Sequence, residues 1–133
     1  MNWIYEGKEL TEEDIDGFAG MVYLIENLAD GRKYVGKKIF KFARRRKIKG
    51  RMRRVAVDSD YKAYYGSCAE LKAEVARLGP ASFSRIVLRL CRNKSEMNYY
   101  EAKSQFERDV LLDPSYYNTW IMVKVRRSGA LGK

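Results

Sequence analysis

Between Lys37 and Arg54 this chain places eleven lysines and arginines and not one acidic residue. No folded core holds such a stretch, because a buried charge without a partner is costly. It must stand in solvent, as an insertion between segments that do build a core. Its eleven charges exceed the net charge of +10, so the other 115 residues sum to −1. Charge this concentrated is the electrostatic mark of a polyanionic partner. An anionic membrane fits less well, because the segment has no sustained apolar face. Nucleic acid is the expected partner, and a solvated basic loop is the alternative. Gly50 and the scattered apolar positions predict part helix and part loop, without a readable register.

The rest of the 133 residues suffices for one compact domain. A hydrophobic content of 46% excludes disorder over most of the length. Neither a signal peptide nor an apolar run of roughly 18 residues is present, so a soluble cytoplasmic protein without a membrane segment is expected. Cys68 and Cys91 lack metal-ligand spacing, and there is no histidine. Structural zinc and imidazole acid–base chemistry are thereby excluded. Any catalysis must use carboxylates, Tyr, Lys, Arg, Ser or a hard metal ion held by oxygen. Both cysteines read as small apolar residues.

Residues 1–17 read as an acidic N-terminal extension, with a short extended piece at Trp3–Tyr5 and a helical turn capped by Thr11 and Asp14. Residues 20–26 read as a buried strand, 27–31 as a turn with a hairpin Asp-Gly pair, and 32–37 as the returning strand. A helix is expected from an N-cap at Ser67 to Gly79-Pro80. Phe83 to Cys91 reads as a third strand, and a second helix runs from Ser95 to Asp113-Pro114. A last short element is expected at Trp120–Arg127, then a flexible tail over 128–133. Met97, Phe106, Trp120 and Ile121 are assigned to the core. The expected fold is α+β: a small, mainly antiparallel three-stranded sheet flanked by helices, occupying 18–127, with the basic insertion at about 37–58.

Met21-Val22-Tyr23 and Tyr34-Val35-Gly36 stand on the two arms of the hairpin, with the tyrosines eleven residues apart. In these half-motifs the chain resembles the GIY-YIG endonucleases, although Met21 stands where that family usually has glycine. The later order of basic region, helix, strand, a helix bearing Glu101, and Tyr117-Asn118 is similar too. Ser59-Asp60-Tyr61, Tyr64-Tyr65-Gly66-Ser67 and Glu96 to Glu101 resemble the small free-standing, homing-type endonucleases of tailed phages. The resemblance implies hydrolysis of double-stranded DNA with one Mg2+ or Mn2+ ion. It assigns Tyr23 as the base that takes a proton from water, Tyr34 as its partner, Glu101 as the metal ligand and Asn118 as an orienting residue. By count the family's arginine falls on Arg44, with Lys38 or Arg45 as substitutes. Glu107 rivals Glu101 as the carboxylate.

That chemistry is consistent with the residues available. A phenol serves as a base at neutral pH only if something lowers its pKa of about 10, and Lys37, Lys38 and, beyond them, Arg44 are expected to supply that field. Guanidinium matches phosphate geometry, and magnesium needs few protein carboxylates. Lys37, Lys38, Lys41, Arg45, Arg46, Lys47, Lys49, Arg51, Arg53 and Arg54 form the expected DNA-binding surface. Tyr64-Tyr65 either line the DNA groove or pack in the core. No residues are expected to remain for a separate recognition domain, so specificity is expected from the basic insertion, the C-terminal helix or a homodimer partner. The alternative to a nuclease is a non-catalytic DNA- or RNA-binding module, which needs the basic stretch but not Tyr23, Tyr34 and Glu101.

Overall fold

In the computed structural model, which describes residues 2–127, two short strands come first, β1 (Ile4–Tyr5) and β2 (Lys8–Glu9), followed by the helical turn α1 (Glu12–Ile15). The tyrosine hairpin is β3 (Gly20–Asn27) and β4 (Lys33–Ile39). The basic segment forms β5 (Lys41–Ile48) and β6 (Arg51–Asp58). Then come α2 (Ala69–Leu78), β7 (Phe83–Cys91) and α3 (Lys94–Glu107). One sheet runs β2-β1-β7-β3-β4, antiparallel except where β1 lies parallel to β7; β5 and β6 form a second, two-stranded sheet.

The period-2 alternation of β3 explains why the main sheet is covered on both faces. Met21, Tyr23 and Ile25 point to one side, where they pack with Trp3, Phe40, Tyr61 and Leu71 of α2. Val22 and Leu24 point to the other, with Val35, Cys91, Met97 and Val110, beneath α3. β7 carries one extra residue, Leu88, opposite the Val22–Tyr23 step, a bulge beside the first tyrosine.

Several expectations are corrected here. The three-stranded sheet has five strands, because two-residue strands such as β1 and β2 are too short to leave a periodic signal. Within residues 2–17, Trp3 is built into the core of the domain: it is 2% exposed and donates its indole N–H to the Tyr61 carbonyl at 2.6 Å. Thr11 and Asp14 do form the capping box. The basic insertion is a hairpin with no helix, and Lys49 and Gly50 both take positive φ (52° and 78°), as a two-residue type I′ turn requires. Its cations stand on both faces, so no hydrophobic alternation showed the strand period.

Helix ends moved too. α2 starts after Cys68, without a side-chain cap. α3 is capped by Asn93, whose side chain accepts from the Glu96 N–H at 2.8 Å. It stops at Glu107, well before Asp113-Pro114. Asp109 takes φ 51°, with Asp109 N–H to Phe106 O and Val110 N–H to Gln105 O both at 3.1 Å, the paired bonds of a Schellman end. Residues 118–126 are irregular, and Phe106 and Trp120 lie outside the core at 61% and 64% exposed. Met97 is buried, and Ile121 packs against the second cluster. The tail at 128–133 and the side chain of Arg44 lie outside the described residues.

Candidate active site

β4 is an edge strand, and its free edge is covered by the chain following α3 rather than by another long strand. Lys33 N–H donates to Ser115 O (2.8 Å) and Tyr117 N–H to Lys33 O (2.7 Å). One step along, the Asn118 side chain takes over as a backbone mimic, accepting from Val35 N–H at 3.0 Å and donating to Val35 O at 2.8 Å. Gln105 Nε2 also donates to Val35 O, at 3.0 Å. Asn118→Ala strips the buried Val35 N–H of its acceptor while Gln105 still serves the carbonyl. A loss of about 1–3 kcal/mol is expected, read from the urea midpoint.

Over this edge opens a cleft of about 670 Å³ whose walls include Tyr34, Lys37, Ser67, Asn98, Glu101 and Trp120. Alternation along β4 sends Tyr34 toward the α2 side and Lys37 toward α3, so the two flank the edge from opposite faces. The Tyr34 hydroxyl shares a 3.1 Å hydrogen bond with Ser67. Lys37 Nζ lies 3.7 Å from the Glu101 carboxylate and also donates to Asn98 Oδ1. Asn98, Glu101 and Gln105 fall at i, i+3 and i+7 on α3, one polar stripe facing the edge. Gln105 is buried, and its Oε1 finds no partner among the described residues.

Tyr23 is not on the cleft wall. It is 1% exposed and packed between Trp3 and the edge-on ring of Tyr64, with ring centroids 5.2 and 6.0 Å away and Tyr34 at 6.2 Å. Burial pushes its phenol well above the ordinary range, with Tyr64, Tyr34 and Glu101 adding to the rise. The expected lowering by Lys37 and Lys38 is therefore overturned for Tyr23, because desolvation outweighs any cationic field. Tyr34, half-buried, is also raised by burial, but its Ser67 hydrogen bond pulls the other way.

Gly36 explains the last letter of the second half-motif. A Cβ there would overlap the Tyr23 hydroxyl and come within 2.9 Å of Tyr34 Cε2. Gly36→Ala is expected to push both rings out of place and destabilise the fold by about 1–3 kcal/mol, with a changed near-UV tyrosine spectrum reporting the displaced rings. Unchanged stability and tyrosine spectra would refute this packing.

The remaining candidates disperse. Lys38 lies on the Tyr64 side, 4.1 Å from that ring, and pairs with Asp60 at 2.6 Å. Lys41 meets Asp58 at 3.7 Å at the root of the β5–β6 hairpin. Arg45, Arg46, Lys47, Lys49, Arg51, Arg53 and Arg54 are exposed along it. Glu107 is exposed and is not on the cleft wall, whereas Glu101 keeps only 15% of its side chain exposed. Burial raises the Glu101 carboxyl, and Lys37 pulls it back. Ser67, Asn98, Gln105 and Trp120 line the cleft but were not assigned to the site. The helical spacing of 98, 101 and 105 was a usable signal; Ser67 stood in a segment that carried the resemblance but was read as a cap. Tyr64 and Tyr65 pack against the core.

A tyrosine hairpin, a carboxylate-bearing helix and an asparagine locked onto the hairpin's edge define a GIY-YIG type of nuclease domain. The family model "Putative endonuclease segE, GIY-YIG domain" matches residues 3–121. The chain belongs to this SegE GIY-YIG endonuclease family. No curated protein and no solved structure matched it. Among the described residues, no helix is long and apolar enough to cross a membrane.

Proposed function

We propose that this protein is a divalent-metal-dependent endonuclease that hydrolyses phosphodiester bonds of double-stranded DNA, of the homing type encoded by tailed phages. The observation that carries the proposal is the meeting of Tyr34, Lys37 and Glu101 in one cleft at the edge of the strand from which the basic hairpin continues.

The donor set suits a hard cation. Glu101 is a largely buried carboxylate with one cation 3.7 Å away, so it is under-compensated, and no three acidic or thiol side chains converge on a common point among the described residues. One carboxylate, with water and phosphate oxygens completing the shell, is how Mg2+ is commonly held. When bound at Glu101, Mg2+ or Mn2+ would polarise the phosphate and neutralise the departing oxygen.

The chain's own residues supply the rest. Tyr34 reaches the cleft and Tyr23 does not, so the proton of the attacking water is assigned to the Tyr34 phenolate, to whose oxygen the Ser67 hydroxyl donates. Tyr23 positions Tyr34 from beneath, across Gly36. Water oxygen bonds to phosphorus as the P–O bond to the leaving oxygen breaks. Lys37 holds the Glu101 carboxylate ready and adds positive charge beside the phosphate. Asn118 and Gln105 keep the β4 edge fixed, and Arg44, Lys38 and Arg45 remain candidates for a further phosphate contact.

Incubation with long mixed-sequence duplex DNA tests this. Cutting with Mg2+ or Mn2+, abolished by a chelator, is expected. Binding without cutting on DNA from several sources would instead favour the non-catalytic module.

A further inference from the structure

The β5–β6 hairpin forms a separate two-stranded sheet and pairs with no other strand among the described residues. Its register sets Arg45 opposite Arg54 and Arg46 opposite Arg53. Adjacent positions on a strand face opposite ways, so one like-charged pair stands on each face of the ribbon. All four side chains are exposed. Like charges directly opposed destabilise a ribbon in isolation, so the arrangement is favourable only where anions lie on both faces. Its root is fixed: Ser59 N–H donates to Phe40 O at 2.8 Å, and Phe40 packs on Tyr61 with centroids 5.0 Å apart.

We infer that this ribbon enters the major groove of duplex DNA, beside the cut position, with a phosphate wall on either face. The inference rests on the nuclease reading above and adds a binding mode to it. A ribbon lying flat on one backbone needs cations on one face only. The major groove of B-DNA is about 12 Å wide and admits a two-stranded ribbon, whereas the minor groove, about 6 Å wide, does not. Each arm has eight residues, which at ~3.3 Å per residue spans about 8 base pairs. Ile48 and Met52, exposed near the tip, are of the apolar kind that contacts thymine methyl groups.

Duplex binding is measured with the full chain, without divalent metal, against salt. Arg45→Ser/Arg54→Ser and Arg46→Ser/Arg53→Ser touch only exposed side chains, so folding is kept. Each double variant is expected to shallow the log–log salt slope by about 2 and weaken binding at least about tenfold. If one pair is silent, the ribbon lies flat and the inference fails. Methylation interference gives the second readout. Guanine N7 methylation, in the major groove, is expected to block binding over about 8 base pairs, and adenine N3 methylation, in the minor groove, is not. The reverse pattern overturns the groove assignment. Binding and N7 interference without any metal-dependent cutting would overturn the nuclease reading while leaving the ribbon's role intact. Failure to bind any duplex, or preference for duplex RNA, whose deep narrow groove excludes a ribbon, would overturn the ribbon's role outright.

Discussion

Glu101→Gln is expected to lower the rate of DNA cleavage by about 10³-fold, equivalent to about 4 kcal/mol of transition-state stabilisation, while the protein stays folded. The glutamine keeps the shape and loses the charge that would hold the cation. Burial raises the wild-type Glu101 carboxyl, and Lys37 offsets this only in part. A carboxyl raised on folding favours the folded state while protonated. Without metal, stability is therefore expected to fall as pH rises from the ordinary glutamate value of about 4.3 through the higher folded value. A divalent cation at Glu101 should reverse that loss, since binding only the folded state adds about 2.7 kcal/mol at a hundredfold excess over Kd. The glutamine variant should lack both the pH step and the gain in Tm on adding Mg2+ or Mn2+. A variant that still gains stability from the metal would show that the ligand lies elsewhere. Because the thermal measurement does not use DNA, it separates loss of metal from loss of substrate binding.

What the sequence made legible were apolar runs set off by turn residues. β3 and β7 are such runs, and β4 returns from β3 across the Asp30-Gly31 turn, and so the tyrosine hairpin and the strand beside it were readable. The β5–β6 ribbon has period 2 in its geometry but cations at most positions on both faces, so hydrophobic contrast vanished and a real hairpin looked like loop. Trp3 shows a different limit: an aromatic residue in an acidic segment carries no register, and only the parallel pairing of Ile4 with Ile86 brings it over Tyr23. In the site, the family resemblance pointed to Glu101 and the two half-motifs, but it carried nothing about depth. Sequence alone treats Tyr23 and Tyr34 as a matched pair; packing against Trp3 and Tyr64 seals the first, while edge-strand geometry leaves the second on the cleft. Asn118 entered only through the resemblance; its two hydrogen bonds to one residue of an edge strand are a tertiary fact.

That difference in depth gives the second large effect. With Tyr34 as base, its phenolate fraction grows tenfold per pH unit below a pKa that burial holds above about 10. Log kcat/KM for cleavage is therefore expected to climb with a slope near +1 from about pH 6.5 to 9.5, without levelling off. Tyr34→Phe should cost about 10²–10⁴-fold, and the residual rate should lose most of that slope. Ser67→Ala removes the hydrogen bond that lowers the Tyr34 pKa, so a fall of several-fold at neutral pH with the slope retained is expected. Tyr23→Phe keeps the ring and loses only a buried hydroxyl, so it should slow cleavage while leaving the pH dependence that of wild type. If Tyr23→Phe flattens the profile and Tyr34→Phe does not, the base is Tyr23, and DNA must then open the packing of Trp3 and Tyr64 to reach it. In that event the rate would carry the cost of opening, and weakening that packing with Trp3→Phe should speed cleavage. With Tyr34 as base, the same substitution only loosens the support beneath it and slows the reaction. The direction of the Trp3→Phe effect thus distinguishes the two tyrosines independently of the pH profile.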